Sequence, residues 1–170
     1  MNRTSRRQAL AGIATLAAAA LSRISAAQAA AAAPQAASAK DNRTSIHYEI
    51  DFAAPLARLY QAILDQKQFA AFSGLPATID PAPGGTFSMF GGKIEGRNIE
   101  LVPSLRIVQA WRPAYWPAGV YSLVHFEFKP RASETTLLFD HTGFPEGDHD
   151  SLDGGWHTHY WEPLKKYFAT

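Results

Sequence analysis

Residues 150–168 read DSLDGGWHTHYWEPLKKYF and carry the clearest periodic pattern in the chain. Side chains four residues apart lie on one face of an α-helix. Large apolar residues recur here at that spacing, at Leu152, Trp156, Tyr160, Leu164 and Phe168. The pattern predicts a long C-terminal helix whose apolar face is covered. Asp150 or Ser151 is expected to cap it, and Pro163 is expected to bend it near His159.

The polypeptide before this helix reads as one strand, two short helices and a run of strands. Residues 45–52 alternate apolar and polar side chains, as a half-buried strand does. Residues 55–65 carry a helical stripe, and a second short helix follows until Gly74 and Pro76 stop it. Further strands are predicted over residues 86–90, 94–102, 104–111, 120–129 and 134–141. We therefore predict an antiparallel meander that precedes the terminal helix.

Several short motifs extend this reading to a known family. They are GGTF (84–87), ELVP (100–103), IVQAW (107–111), HTGFP (141–145) and GWHTHYWEPL (155–164). Their order and spacing over nearly all of residues 45–168 resemble the activator-of-heat-shock-ATPase homologues of the START-like (SRPBCC) superfamily. The resemblance implies an α+β helix-grip fold, START/Bet v-like. In that fold a curved antiparallel sheet wraps around a long C-terminal helix, with two short helices after strand one.

The N-terminal segment has the features of an export signal. Basic residues precede an apolar run over residues 9–21. Residues 5–10, SRRQAL, resemble the twin-arginine motif, with alanine in place of the usual phenylalanine. Cleavage after either Ala29 or Ala39 satisfies a small-x-small rule. We predict a signal peptide and Ala-rich linker over residues 1–39 and a START-like domain over residues 40–170.

These features predict a periplasmic or secreted protein without a membrane anchor. The apolar run is shorter than the roughly 20 residues that cross a bilayer. Four of the 16 basic residues lie in the signal segment, which leaves the domain 12 against 15 acidic residues. With no basic patch, nucleic acid is not an expected partner.

Several classes of chemistry lack their usual motifs. The chain has no cysteine, which excludes a thiol nucleophile. It also has no Gly-rich phosphate loop, G-x-S-x-G elbow or H-E-x-x-H. His157 and His159 project about 200° apart on a helix and cannot share one ion. The acidic cluster around His149 is explained by the helix dipole. We predict neither a cofactor nor a metal site.

The candidate ligand-binding residues are those expected between the sheet and the C-terminal helix. They are Phe87, Gln109, Trp111, Phe126, His141, Trp156 and Tyr160. Similar helix-grip domains imply a cavity there, with Trp156 and Tyr160 on the helix side and Trp111 and Phe126 on the sheet side. The Gln109 amide would lie among apolar groups, where it must find a hydrogen-bond partner, with backbone and ligand both possible. His141 would lie at the end of a row of apolar side chains, after Leu137 and Phe139, on the inner face of the strand at residues 134–141.

Three functions stay open at this stage. The leading hypothesis is a binding protein for a small apolar or amphipathic ligand. A second is an enzyme of the cyclase or hydrolase kind, with His141 as acid or base and Gln109 or Tyr121 orienting the substrate. A third is a protein-interaction module, which requires a solvent-facing Trp116 in the turn at residues 114–118. Whether the chain is an enzyme is left undecided.

Overall fold

The computed structural model describes residues 40–169 of the chain. The predicted signal peptide and linker, residues 1–39, lie outside the described residues. The elements are β1 Ser45–Phe52, α1 Leu56–Leu64, α2 Gln66–Ser73, β2 Thr78–Ile79, β3 Thr86–Met89, β4 Ile94–Val102, β5 Arg106–Pro113, β6 Ser122–Arg131, β7 Glu134–Thr142, α3 His149–Trp156, a π-helical segment His157–Trp161 and α4 Glu162–Phe168. Across residues 40–169, no helix combines the length and apolarity that crossing a membrane requires.

The seven strands form one antiparallel sheet of order β1-β7-β6-β5-β4-β3-β2. Strands adjacent in sequence pair with each other from β2 to β7, which confirms the predicted meander. The first strand instead pairs with the last. Every second residue of the central strands β5, β6 and β7 is buried. These strands therefore present one apolar inner face, against which the terminal helix packs.

Strands β5 and β6 are each shifted by two residues from the predicted ranges, to Arg106–Pro113 and Ser122–Arg131. Strand β5 begins at Arg106 rather than at residue 104, because a tight turn intervenes. In that turn Ser104 has a φ of 56° and the Leu105 N–H donates to the Val102 carbonyl. Leu105 is consequently exposed. Strand β2 was not predicted, since two residues are too few to show a period of two.

The two short helices after β1 follow the predicted positions closely. Helix α2 begins after Asp65, whose carboxylate accepts from the backbone N–H groups of Lys67 and Gln68. This is the side-chain cap that a helix N-terminus favours. The helix ends at Gly74, whose φ of 71° suits a residue without a Cβ.

The terminal helix is interrupted where Pro163 predicts a disruption. Residues His157–Trp161 form a π-helical segment, and the Glu162 N–H donates to the His157 carbonyl five residues earlier. Pro163 has no N–H to donate and its ring crowds the carbonyl four residues before it, which favours such a break. In this segment the side chains of two adjacent residues, Tyr160 and Trp161, are both buried.

The predicted side-chain cap of this helix is wrong. Helix α3 begins at His149, and neither Asp150 nor Ser151 caps it. The carboxylate of the preceding Asp148 is already engaged, because it accepts a hydrogen bond from the Trp116 indole. The start of α3 is thus fixed to the loop after β5 by a side-chain contact.

Candidate functional site

Trp156 is the centre of an aromatic cluster between the helix and the sheet. Its ring centroid lies 4.5 Å from Phe139, 5.4 Å from Trp111 and 4.3 Å from Tyr160. Phe126 lies further along the sheet, at 6.1 Å. Offset and edge-on ring pairs at such distances add to the burial of apolar area. Trp156 thus packs against both Trp111 and Phe126.

His141 joins this cluster through a chain of hydrogen bonds. The Trp156 indole N–H donates to His141 Nδ1 at 3.0 Å, and His141 Nε2 lies 2.7 Å from Ser122 Oγ. Ser122 Oγ in turn lies 3.0 Å from the Trp111 carbonyl. Because indole can only donate, His141 Nδ1 must accept, and the network assigns the proton to Nε2. Each polar atom in the chain then has a partner.

This position makes His141 a structural group. Its side chain is 0% exposed, and burial lowers its pKa to about 3. An imidazole that stays neutral over the physiological range and has both nitrogens engaged is poorly suited to proton transfer with a ligand. Tyr121 is also poorly placed to orient a ligand in this cluster. Its ring is half-exposed and contacts the guanidinium of Arg112.

Gln109 finds its partner within the protein. Its Nε2 donates to Asn98 Oδ1 at 3.0 Å across the β4–β5 pair. The Asn98 Nδ2 donates in turn to the Asp80 carbonyl at 2.8 Å. Both side chains are fully buried. The pair ties the loop before β3 to the sheet, and Asn98 lies beside a β-bulge that the sequence pattern did not reveal.

A cavity of about 410 Å³ opens beside the aromatic cluster. It lies between the loop after β3, the ends of β4 and β5, and the helical face of α3 and the π-helical segment. Its wall is mostly apolar, with Lys93, Ser151 and His159 as the polar additions. The remaining lining residues are Leu75, Phe90, Ile94, Trp111, Pro113, Ala114, Tyr115, Leu152, Gly155, Trp156 and Tyr160.

Three of the seven predicted ligand-binding residues line this cavity, namely Trp111, Trp156 and Tyr160. The other four, Phe87, Gln109, Phe126 and His141, are buried and are not part of its wall. Phe87 instead packs over Gly96, where a Cβ atom would lie 2.2 Å from the Phe87 ring. The other residues that line the cavity were not among the predicted ligand-binding residues. The position of Gly155 on the same helical face as Leu152 and Trp156 was the available signal.

Trp111, one of the lining residues, has a buried indole N–H that is poorly satisfied. Within residues 40–169 its Nε1 makes no hydrogen bond of normal length and angle, although the indole interacts with the Tyr160 hydroxyl. The neighbouring Tyr160 hydroxyl donates to Met89 Sδ at 3.4 Å, a weak acceptor. Burial raises the pKa of Tyr160, and Trp111 offsets part of that effect. The site therefore combines apolar walls with polar groups that are only weakly satisfied.

The turn after β5 forms one side of the mouth. Tyr115 is 65% exposed there, whereas Trp116 is 4% exposed and packs edge-on against Trp111 at 6.2 Å. The expectation of a solvent-facing Trp116 is wrong. Its indole N–H donates to Asp148, which fixes the turn against the start of α3. Tyr115 Oη lies 3.5 Å from the same carboxylate.

The histidines of the terminal helix lie on separate surfaces. The His157 ring contacts Tyr48 at 5.0 Å, while the His159 ring contacts Phe90 at 5.8 Å. Among the residues that the structure describes, one group could supply three metal ligands: Asp41, His149 and Asp150. Arg43 already occupies it, with Nε 2.8 Å from Asp41 and a terminal nitrogen 2.7 Å from Asp150. The guanidinium supplies the positive charge that these carboxylates require.

Comparisons with known proteins agree with this architecture. A family model described as Activator of Hsp90 ATPase homolog 1-like protein matches residues 53–169. Uncharacterized protein C1711.08 of Schizosaccharomyces pombe is 36% identical over 132 residues, 78% of this chain and 39% of that protein. Activator of 90 kDa heat shock protein ATPase homolog 1 of Homo sapiens is 33% identical over 111 residues, 65% of this chain and 33% of that protein.

A solved structure shows the same fold over most of the domain. The crystal structure of PFC0360w, an HSP90 activator from Plasmodium falciparum, superposes with a TM-score of 0.72 at 25% identity. The superposition covers 75% of this chain and 97% of that one. The chain spans between about a third and two fifths of the length of the curated relatives described above.

Proposed function

The chain belongs to the Activator of Hsp90 ATPase homolog 1-like family, and we propose that within this helix-grip fold it binds a small apolar or amphipathic molecule. The cavity of about 410 Å³ beside Trp111, Trp156 and Tyr160 carries the proposal. Small-molecule sites typically occupy about 300–1,000 Å³ and have mainly apolar walls with a few polar groups.

Binding is favoured over catalysis by the position of the titratable groups. His141, the candidate acid or base, is buried in a satisfied hydrogen-bond chain away from the cavity wall. Gln109 is likewise held by Asn98. The cavity wall has one serine and one histidine, Ser151 and His159, and no hydrogen bond joins them in the described part of the chain. The enzyme hypothesis therefore has less support than the binding hypothesis.

We place this activity outside the cytoplasm, in the periplasm or the surrounding medium. The support is the twin-arginine-type sequence at residues 5–10 and the apolar run that follows it. The human relative is named for activating a 90 kDa heat shock protein ATPase. An exported domain would not meet an ATP-driven partner of the cytoplasm, so that activity is not part of the proposal.

A protein partner is the second candidate function, without the Trp116 anchor that the sequence predicted for it, because Trp116 is buried. The observations that favour it are the family relationship to ATPase activators and the exposure of Tyr115 on a short turn. Exposed aromatic side chains often anchor protein interfaces. Because Tyr115 also borders the cavity, a partner and a small ligand would compete for the same side chain.

Gly155 allows the cavity to be tested without disturbing the core. A Cβ atom at Gly155 would meet nothing within 4 Å, and Gly155 lines the cavity. Gly155→Leu should therefore fill space that a ligand needs. Gly154→Leu is the matched control, since a Cβ there is equally unhindered and Gly154 is not part of the wall. Both changes replace a helical glycine, which favours the helix in each case.

The experiment begins with native mass spectrometry of the protein purified from the cell envelope. We expect a co-purifying molecule in the natural protein and in Gly154→Leu, and its loss in Gly155→Leu. Equal retention by both variants, with both folded by circular dichroism, would contradict the assignment of this cavity. A protein that carries no molecule and does not bind a panel of alkyl and aromatic compounds would contradict the binding function itself.

A further inference from the structure

Among the described residues that line the cavity, Lys93 is the one with a formal charge. Lys93 lines the mouth and is exposed, and within residues 40–169 it makes no ion pair. His159 lies on the helical side of the same opening. Among residues 40–169, no aspartate or glutamate lines the cavity. This distribution contrasts with the domain as a whole, in which acidic residues outnumber lysine and arginine.

The inner part of the cavity has the opposite character. Its walls are the rings of Trp111, Trp156 and Tyr160, together with Ile94 and Leu152. The cavity has a volume of about 410 Å³. If each heavy atom of a ligand takes about 30 Å³, the volume of a water molecule in the liquid, the cavity holds on the order of a dozen such atoms. A medium-length alkyl chain is the size of molecule that such a space holds.

Resting on the proposed function above, we propose that the ligand is an amphiphile with a negatively charged head group, of the class of medium-chain carboxylic acids. The alkyl chain lies against Trp111, Trp156 and Tyr160, and the carboxylate lies at the mouth beside Lys93. A lysine side chain is suited to this position, since its methylene groups cover apolar surface while its ammonium group stays in water. His159 faces the same head group.

The carboxylates of residues near this mouth are already engaged by other groups. Asp148 accepts hydrogen bonds from the Trp116 indole and the Tyr115 hydroxyl. Glu95, two residues after Lys93, forms an ion pair with Arg112 at 3.1 Å. Lys93 itself lies just before β4, and its backbone carbonyl accepts from the Ala114 N–H.

The test compares ligands that share a chain and differ in charge. Decanoate, decan-1-ol and decyltrimethylammonium are titrated into the full domain, with quenching of tryptophan fluorescence as the readout. We expect decanoate to bind most tightly, with an affinity that falls as salt is raised, because salt screens the interaction at an exposed mouth. Lys93→Met should lower decanoate affinity by about three- to tenfold and leave decan-1-ol nearly unchanged.

Two further variants separate charge from shape. Lys93→Arg keeps the charge and should retain decanoate binding. Lys165→Met removes an exposed charge from α4, away from the cavity, and should have no effect. Equal affinity for all three ligands, or an equal loss for decanoate and decan-1-ol in Lys93→Met, would overturn the head-group assignment and leave the binding function standing. Failure of all three ligands to bind would instead count against the proposed function.

Discussion

The two faces of the Trp156 side chain have different surroundings. On one side lies the closed half, formed by Phe126, Phe139, His141 and Ser122, where rings pack closely and every polar atom of His141 is bonded. On the other side lies the open half, the cavity beside Trp111 and Tyr160. The halves differ in packing rather than in unpaired indole groups, since within the described residues the indole N–H groups of Trp111 and of Trp161, which packs against Phe139, both lack a partner.

This difference separates what holds the fold from what is available for binding. Close-packed rings and the hydrogen-bond chain of His141 resist change, since removing a member leaves a cavity or an unpaired polar atom. The open space does not contribute to stability in that way and is free to take a ligand. One side chain, Trp156, belongs to both halves, so substitutions on its two sides should have different consequences.

Replacement of Trp156 itself should have the largest effect. Trp156→Ala removes a fully buried ring that contacts both halves and leaves His141 Nδ1 without its donor. Loss of a large core aromatic typically costs about 3–5 kcal/mol. We expect a decrease of that order in the free energy of unfolding, measured by urea titration followed by far-UV circular dichroism. Leu75→Ala, a change at the partly exposed rim, is the control and should cost much less.

The closed half was the more predictable from sequence. The alternation in residues 134–141 placed Leu137, Phe139 and His141 on one buried face, as the structure shows. The four-residue repeat placed Trp156 and Tyr160 toward the sheet. Pro163 marked the position of the helix disruption. These features follow from local periodicity and covalent geometry, which a single sequence contains.

The open half was less predictable because it depends on where chain segments fail to meet. Lys93 and Ile94 follow a turn, and their place on the wall depends on the register of β4 against β5. The burial of Trp116 depends on Asp148, more than thirty residues away in the sequence. Near the closed half, the bond between Gln109 and Asn98 likewise depends on the register that makes them cross-strand partners. None of these leaves a periodic pattern.

His141→Leu should have the next largest effect, and it should change the pH dependence of stability. The variant leaves the Trp156 indole and the Ser122 hydroxyl short of one partner, at roughly 1–3 kcal/mol for each group left unpaired. In the folded protein burial lowers the pKa of His141 to about 3, from an ordinary value of 6.5. The unfolded chain therefore takes up this proton first as the pH falls.

The free energy of unfolding should therefore decrease as the pH falls. The contribution of neutral His141 to stability is complete above about pH 6.5 and is lost as the pH falls toward 3. The natural protein should lose stability over that window more steeply than His141→Leu, measured as the free energy of unfolding at several pH values. Carboxylates such as Asp41 and Glu100, whose pKa values are lowered by Arg43 and Arg106, contribute equally to both curves. Parallel curves would show that His141 is accessible to solvent in the folded state.

The smallest effect is expected in the open half, at the paired glycines of α3. Gly155→Ala and Gly154→Ala should each stabilise the protein by about 0.5–1 kcal/mol, because alanine loses less backbone entropy in a helix and neither Cβ meets an obstacle. Stability alone would not distinguish the two positions, but binding should. The extra methyl group at Gly155 enters the cavity, so Gly155→Ala should weaken decanoate binding modestly while Gly154→Ala leaves it unchanged. Destabilisation by Gly155→Ala, seen as a lower melting temperature, would mean that this side of Trp156 is as tightly packed as the other and that the two halves do not differ.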